Sequence, residues 1–380
     1  MNRPSADGRE GGWRGQLWRR PLAGLFLALA GLRRLAYRHR LLPVHRLPVP
    51  VIVVGNISVG GTGKTPLTLW LVRSLQLAGW RPGIISRGYG GSQTGPAPVQ
   101  ADSDPAVVGD EPLLLARRAG VPVWIGRRRA QAGSRLLAAH PEVNVLISDD
   151  GLQHYALARD VEIAVVDGVR RFGNGWPLPA GPLREMPGRL DAVDAVVVHG
   201  GEADWLRVRA PVHRMRLEPT RLRSLRAPGR TLSLDWLEGR QVEAVAGIGH
   251  PERFFALLRS LGAVVHPHAF PDHHAFGHKD LGHAPRRLEV ERELRFGQDA
   301  PCGADGGDHG IALHGEGFIV GRRRRFLTGK GAIPVETRAE HRDHDSQDGD
   351  KSSHEENHTP VTQSIVKSIT IILHRGPRVG

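Results

Sequence analysis

The 380 residues include 52 Lys and Arg against 39 Asp and Glu, which gives a formal net charge of +13. This length allows two domains or one large α/β domain, and the charge favours an anionic partner such as a phosphate-rich ligand or an anionic membrane surface. Aromatic residues make up only 5% of the chain, which is poor material for stacking nucleobases, so we expect no nucleic-acid partner. The single cysteine excludes an internal disulfide and is typical of a reducing compartment.

The N-terminus combines a short apolar run with basic flanks. Residues 21–32 read PLAGLFLALAGL, and arginines lie on both sides of them. This run is well short of the about 20 apolar residues that cross a bilayer, and no signal-peptide cleavage pattern follows it. We therefore predict an amphipathic helix lying in the membrane interface, within an N-terminal segment of residues 1–47 that ends in a Pro-rich linker. A helix buried in the core is the alternative interpretation.

Beyond residue 50, short apolar runs alternate with helical patterns. The predicted strands cover residues 51–54, 83–86, 121–125, 143–147, 161–166 and 192–198. The predicted helices cover residues 66–78 and 111–119. Strands that alternate with helices are typical of a mostly parallel sheet with helices on both faces. The sequence thus predicts an α/β fold over residues 48–199.

A second, smaller α/β domain is predicted over residues 200–281. Apolar runs at 242–248 and 264–268 predict strands around a helix at 251–261. After Leu281 the signal fades: residues 282–310 show little apolar periodicity, and residues 339–359 are charged and His-rich, which is typical of disorder. We predict that residues 282–380 form a largely disordered tail in which only residues 365–373 resemble a strand.

The strongest motif is GNISVGGTGKT at residues 55–65, between a predicted buried strand and a helix. In this context a Gly-rich loop followed by Lys-Thr predicts a P-loop nucleotide site. Backbone N–H groups of the loop can bind phosphate oxygens, the lysine can reach the outer phosphates and the threonine can ligate magnesium. A strict motif begins with Gly where Ser58 stands, and serine is small enough for the turn. The predicted nucleotide-binding residues are Gly60, Gly61, Thr62, Gly63, Lys64 and Thr65.

Asp149 and Asp150 follow directly after a predicted strand in VNVLISDDGLQH. This resembles a Walker B element, in which a carboxylate at a strand end helps to hold Mg²⁺. An Asp-Asp-Gly turn without a metal is the alternative, and the P-loop upstream favours the metal site. Gln153 and His154 lie one turn beyond and face the same predicted cleft. The Asn-Lys-x-Asp element that selects guanine is absent from the sequence, so we expect ATP rather than GTP.

Two places could supply a group that accepts a proton from an attacking hydroxyl. Asp110 and Glu111 lie at a loop-to-helix junction, where capping of the helix by Asp110 is the structural alternative. Asp272, His273 and His274 follow a predicted strand, where a His-rich surface turn is the alternative. Spacing alone does not choose between these two places.

Several motifs in order carry a family resemblance. They are GN…GKT from Gly55, SRGYG from Ser86, GDEP from Gly109, DDGLQH from Asp149, LPAGPLRE from Leu178, GIG…P…RFF from Gly247 and FPDH from Phe270. Over about residues 18–281 the chain resembles the tetraacyldisaccharide 4'-kinases. The resemblance implies a P-loop enzyme of lipid A synthesis that uses ATP and Mg²⁺ to phosphorylate a tetraacylated glucosamine disaccharide 1-phosphate at the cytoplasmic face of the bacterial inner membrane. We infer no obligate protein partner.

The resemblance also implies roles for individual residues. Lys64 and Thr65 become the phosphate and magnesium ligands, with Asp149 and Asp150 on the metal side. Asp110 becomes the catalytic base and His273 its partner in a dyad. The implied substrate or phosphate contacts are Asn56, Arg87, Gln153, His154 and Arg184.

The sequence after Leu281 departs from the family pattern and looks like a shifted reading frame or a replaced terminus. Plain divergence is the alternative interpretation, and we favour a replaced terminus. Two other functions therefore stay open at this point. One is a P-loop ATPase that drives a conformational switch without a lipid acceptor. The other is an ATP-binding remnant without catalysis.

Overall fold

A computed structural model describes residues 18–224, 227, 229–248, 251–271, 286–296, 310–314, 317–321 and 369–373. Its centre is a sheet of 13 strands within these residues, in the order β11-β10-β15-β12-β8-β7-β6-β1-β5-β2-β4-β3, with β9 paired to β8. The N-terminal strands are β1 (Val51–Gly55), β2 (Pro82–Ser86), β3 (Ala97–Pro98), β4 (Val123–Ile125), β5 (Val145–Asp149), β6 (Val161–Asp167) and β7 (Ala195–His199). The remaining strands are β8 (Val212–Ser224), β9 (Thr231–Leu232), β10 (Gln241–Ala246), β11 (Val264–Ala269), β12 (Arg286–Phe296), β13 (Gly310–His314), β14 (Gly317–Gly321) and β15 (Ile369–Leu373).

The helices flank this sheet. They are α1 (Arg19–Arg38), α2 (Lys64–Leu77), α3 (Pro105–Val108), α4 (Asp110–Ala119), α5 (Arg129–Ala139) and α6 (Pro251–Ser260). Strand β1 lies between β5 and β6 and is parallel to both. All of its residues are buried, as expected for a β-branched run covered on both faces of a parallel sheet. Because parallel strands end at one edge, the loops after β1, β5 and β6 lie side by side there.

The C-terminal strands continue the same sheet. β8 is parallel to β7 on one side and antiparallel to β12 on the other. β10 and β11 are parallel to each other, and β15 pairs antiparallel with both β10 and β12. This half has its own apolar core, in which Phe254, Phe255 and Leu258 of α6 pack on Leu237 and Val242. A mostly parallel sheet flanked by helices confirms the predicted fold class, and the exact domain boundaries stay a prediction.

Helix α1 is more exposed than any core helix, since Ala23 is its one buried residue. Its exposed apolar side chains recur every three or four residues, so they form one stripe. These residues are Leu22, Leu25, Leu29, Leu32 and Leu35. Within the described ranges, no helix combines the length and apolar character that crossing a membrane requires.

Most predicted helices and strands are present, and the sequence explains where the structure differs from the prediction. The predicted tail contains strand β12, so the expectation of little periodicity in residues 282–310 is wrong for 286–296. There Leu288, Val290, Leu294 and Phe296 alternate with charged residues, a period-2 pattern that Arg292 interrupts. Apart from β12, the longest elements that lay outside the predictions are β8, whose apolar residues are separated by basic ones, and helix α5, which begins in an arginine run.

Candidate active site

The phosphate loop is residues 56–63, between β1 and α2. Gly60 and Gly63 both have φ of +96°, a conformation that favours glycine. A Cβ added to Gly63 would lie 2.7 Å from Nδ1 of His199. Gly63 is also the residue that precedes the first turn of α2, so the free N–H groups of that turn face the loop. The loop and the helix start together form a cradle suited to phosphate.

A buried hydrogen-bond chain supports the loop from below. Nδ2 of Asn56 donates to Oγ1 of Thr62 at 3.1 Å, and both residues are fully buried. Nε2 of Gln153 donates to the Asn56 carbonyl and to Oε2 of Glu185, each at 2.9 Å. The Tyr155 hydroxyl donates to the other oxygen of Glu185. Asn56 and Gln153, which we predicted as substrate contacts, therefore use these side-chain groups to hold the loop.

Lys64 lies at the base of the cradle and is 8% exposed. Its Nζ is 3.5 Å from Oδ1 of Asp150, and Nη1 of Arg184 lies 3.1 Å from both oxygens of the same carboxylate. Burial alone would raise the pKa of Asp150, but the two cations hold it below its usual value. Asp150 is thus an anion at neutral pH, and it holds two cations beside the loop.

Asp149 has the opposite electrostatic character. It ends β5 and is fully buried; Thr68 donates to its Oδ1 at 3.3 Å, whereas its Oδ2 has no hydrogen-bond partner among the described residues. Burial, followed by the nearby Glu111 carboxylate, raises the pKa of Asp149. A buried carboxylate oxygen without a donor is costly unless a cation or a proton meets it.

Glu111 links helix α4 to the nucleotide cradle. Oγ1 of Thr65 donates to its Oε1 at 2.8 Å. Capping of the helix by Asp110, the structural alternative to its predicted role, is not what the structure shows, because Gly109 is the N-cap residue and Asp110 is the first residue of α4. Asp110 therefore starts the helix that carries the Thr65 contact. His273, the predicted partner of Asp110, lies outside the described residues.

Several cations surround the same edge. Arg129, at the start of α5, is 3% exposed, and its Nη2 lies 3.4 Å from the Asp150 carbonyl. Burial lowers the pKa of Arg129 to about 10. Burial and the charge of Arg129 also lower the pKa of His154 to about 4, so this histidine is neutral at pH 7. Arg87 is exposed and close enough to act electrostatically on both residues.

Sequence reasoning missed three parts of this site. Arg129 was one arginine of three in a row, and Glu185 and Tyr155 meet only in the folded chain. Glu185 is the last residue of the LPAGPLRE motif, and its place in that motif could have identified it as a candidate site residue.

A magnesium site would fit this geometry. Within the described residues no cluster of three or more His, Cys, Asp or Glu could hold a metal unaided. Mg²⁺ beside a nucleotide usually has one or two carboxylates and takes its other ligands from phosphates and water. The unpartnered Oδ2 of Asp149 and the hydroxyl of Thr65 suit that pattern.

Comparison with known proteins gives a consistent result. A family model described as tetraacyldisaccharide-1-P 4'-kinase matches residues 16–294. The tetraacyldisaccharide 4'-kinase of Methylobacillus flagellatus is 55% identical over 71% of this chain and 78% of its own, and that of Azoarcus sp. is 56% identical over 70% and 78%. The family match extends past residue 281, where our predicted resemblance stopped, and ends inside β12.

A solved structure has the same fold. The LpxK protein of Aquifex aeolicus, crystallised in complex with ATP, is 28% identical, with a TM-score of 0.63. The similarity covers 74% of this chain and 94% of that one.

Proposed function

The chain belongs to the tetraacyldisaccharide-1-P 4'-kinase family, and we propose that it transfers the γ-phosphoryl group of ATP to the 4'-hydroxyl of a tetraacylated glucosamine disaccharide 1-phosphate. The observation that carries the proposal is the edge where the phosphate loop, Lys64 and the Asp149–Asp150 pair meet. In phosphoryl transfer, catalysis is mostly positioning and stabilisation of charge, and this edge supplies both.

The acceptor hydroxyl oxygen forms a bond to the γ-phosphorus, and the bond from that phosphorus to the bridging oxygen of ADP breaks. The hydroxyl proton passes to the carboxylate of Asp110, with His273 as the partner that orients or tunes it. Lys64 neutralises charge on the outer phosphates, and its neighbour Asp150 keeps the ammonium group at the cradle.

Thr65 and Asp149 would hold Mg²⁺, with Asp150 in support through Lys64. A bound Mg²⁺ would supply neutralisation of phosphate charge. Arg87 and Arg184, both at this edge, are suited to the anionic groups of the substrate. His154 is neutral at pH 7 and would contribute a hydrogen bond rather than a charge.

We also propose that α1 rests in the anionic interface at the cytoplasmic face of the inner membrane. Its leucine stripe would enter the lipid, and its arginines would face the headgroups. The test replaces Leu25 and Leu29, each 57% exposed, with Gln and measures binding to vesicles that contain anionic lipid. We expect weaker binding. Parent-like binding at every salt concentration would rule out this placement.

The function is tested with the full chain, ATP, Mg²⁺ and the tetraacyldisaccharide 1-phosphate. We expect phosphate transfer to the lipid. In Lys64→Ala the rate of transfer should fall by about 10²–10³-fold, because the positive charge that stabilises the transferring phosphoryl group is removed. ATP hydrolysis without need of the lipid would support the switch ATPase instead. ATP binding without any turnover would support the remnant.

A further inference from the structure

A group of charged side chains joins helix α6 to the phosphate loop on the side of β6, away from Lys64. At its centre is Asp167, the last residue of β6, whose side chain is 1% exposed. Oδ1 accepts the backbone N–H groups of Val169 and Arg170, each at 3.0 Å. Nε of Arg170 donates to Oδ2 at 3.0 Å. Arg253 of α6 donates to both oxygens, at 3.0 and 3.1 Å. A carboxylate with this many donors has a fixed orientation.

Arg170 connects the oriented carboxylate of Asp167 to the phosphate loop. Its Nη2 donates to the Gly61 carbonyl at 2.6 Å, while its Nε is held by Asp167. Its Nη1 lies 2.9 Å from the position a Cβ would take at Gly60. The guanidinium therefore lies close to the Gly60 backbone, where the φ of +96° also favours glycine, and it holds the Gly61 carbonyl.

Fixing the Gly61 carbonyl also fixes the next N–H group. A trans peptide is planar, with its C=O and N–H pointing in opposite directions. Since the Gly61 carbonyl points at Arg170, the N–H of Thr62 points away from Arg170. Backbone N–H groups of this loop are what a P-loop offers to phosphate.

We propose that Arg253, acting through Asp167 and Arg170, sets the backbone conformation of the phosphate loop, so that tight ATP binding requires α6 to be docked. All three are positioning residues. The inference rests on the proposed function, because it assumes that the loop binds ATP. Under this proposal, helix α6 of the C-terminal half raises the affinity for ATP through β6, which lies on the other side of β1 from Asp149.

The experiment measures ATP affinity of the full chain by calorimetry, and separately KM for ATP and kcat. The variants are Arg170→Ala, Arg253→Ala and the double variant. Arg259→Ala is the matched control, since Arg259 is on the same helix and its one ion pair among the described residues is a 3.9 Å contact with the exposed Glu252. Thermal unfolding of each variant shows whether it is folded.

We expect Arg170→Ala to weaken ATP binding about tenfold, the effect of losing one charge-assisted hydrogen bond. Arg253→Ala should weaken it too, with kcat at saturating ATP close to the parent value. The double variant should bind ATP no more weakly than Arg170→Ala, because Arg253 acts through Arg170. The control should match the parent.

Three outcomes would overturn the inference. Parent-like ATP affinity in both single variants would do so, as would losses that multiply in the double variant. A loss of kcat at unchanged KM would show instead that Arg170 acts on the transferring group. If Arg253→Ala does not fold, Arg253→Gln replaces it, since it keeps most of the side-chain length and removes the positive charge that binds Asp167. Parent-like ATP affinity in that variant overturns the inference equally. No ATP binding by the parent chain would overturn the proposed function as well.

Discussion

The two strands beside β1 end in buried aspartates with opposite properties. Asp149, at the end of β5, has an oxygen without a donor, and burial raises its pKa. Burial would raise the pKa of Asp167, at the end of β6, but hydrogen bonds from Arg253 and Arg170 lower it to about 2. The same residue type at equivalent places thus serves two purposes. A carboxylate that the protein leaves incompletely bonded is available for a ligand, and one that the protein surrounds with donors holds the fold together.

The largest effect should come from Asp110, on the β5 side. If Asp110 accepts the hydroxyl proton, Asp110→Asn should lower kcat by about 10²–10⁴-fold and leave ATP affinity nearly intact. Combining it with His273→Ala should cost little more than the worse single change, because the two would act as a unit. Steady-state kinetics and ATP titrations measure both. Loss of ATP binding in Asp110→Asn would move this residue from proton transfer to the nucleotide site.

A second effect concerns stability: replacing the two aspartates should change the free energy of unfolding in opposite directions. Asp167→Asn removes the charge that two guanidinium groups need, and we expect the free energy of unfolding to fall by about 3 kcal/mol. Asp149→Asn removes a buried charge next to Glu111, and we expect the metal-free protein to become more stable at pH 8. Urea denaturation at that pH compares them. Destabilisation by both changes to the same extent would erase the distinction between the two strand ends.

The smallest effect is a pH dependence. The folded-state pKa of Asp167 is about 2, below its value of about 4 in an unfolded chain. The unfolded state therefore binds more protons in this range, so stability from Asp167 is complete above pH 4 and is lost as the pH falls towards 2. Between pH 4.5 and 2.5 the parent should lose more stability than Asp167→Asn does. Equal losses in denaturation curves would mean that the ion pairs do not favour the charged form.

The sequence was sufficient for the parts of the site that are local in the chain. The strand, the Gly-rich loop and Lys64–Thr65 follow one another, so their geometry was predictable, and Asp149 and Asp150 were recognisable at a strand end. Their difference in pKa was not, because it depends on Glu111, Arg184 and burial.

Most of the features that the sequence did not predict depend on contacts between residues that are far apart in the chain. Arg253 was part of a recognised motif, but its partner Asp167 lies 86 residues earlier. Strand β12 alternates apolar and charged residues, yet its many arginines and glutamates obscured the pattern. Gln153 was predicted as a substrate or phosphate contact, and its bonds to Asn56 and Glu185 became visible only in the folded chain.

The bond between Asp167 and Arg253 also has a consequence for synthesis on the ribosome. At about 5–20 residues per second, Arg253 is made roughly 4–17 s after Asp167. During that interval β6 and the phosphate loop exist without the cations of α6. A nascent chain at this stage should expose the Asp167 turn to proteases, and protection should appear only once α6 has emerged. Pulse proteolysis of chains stalled before and after α6 would show that step.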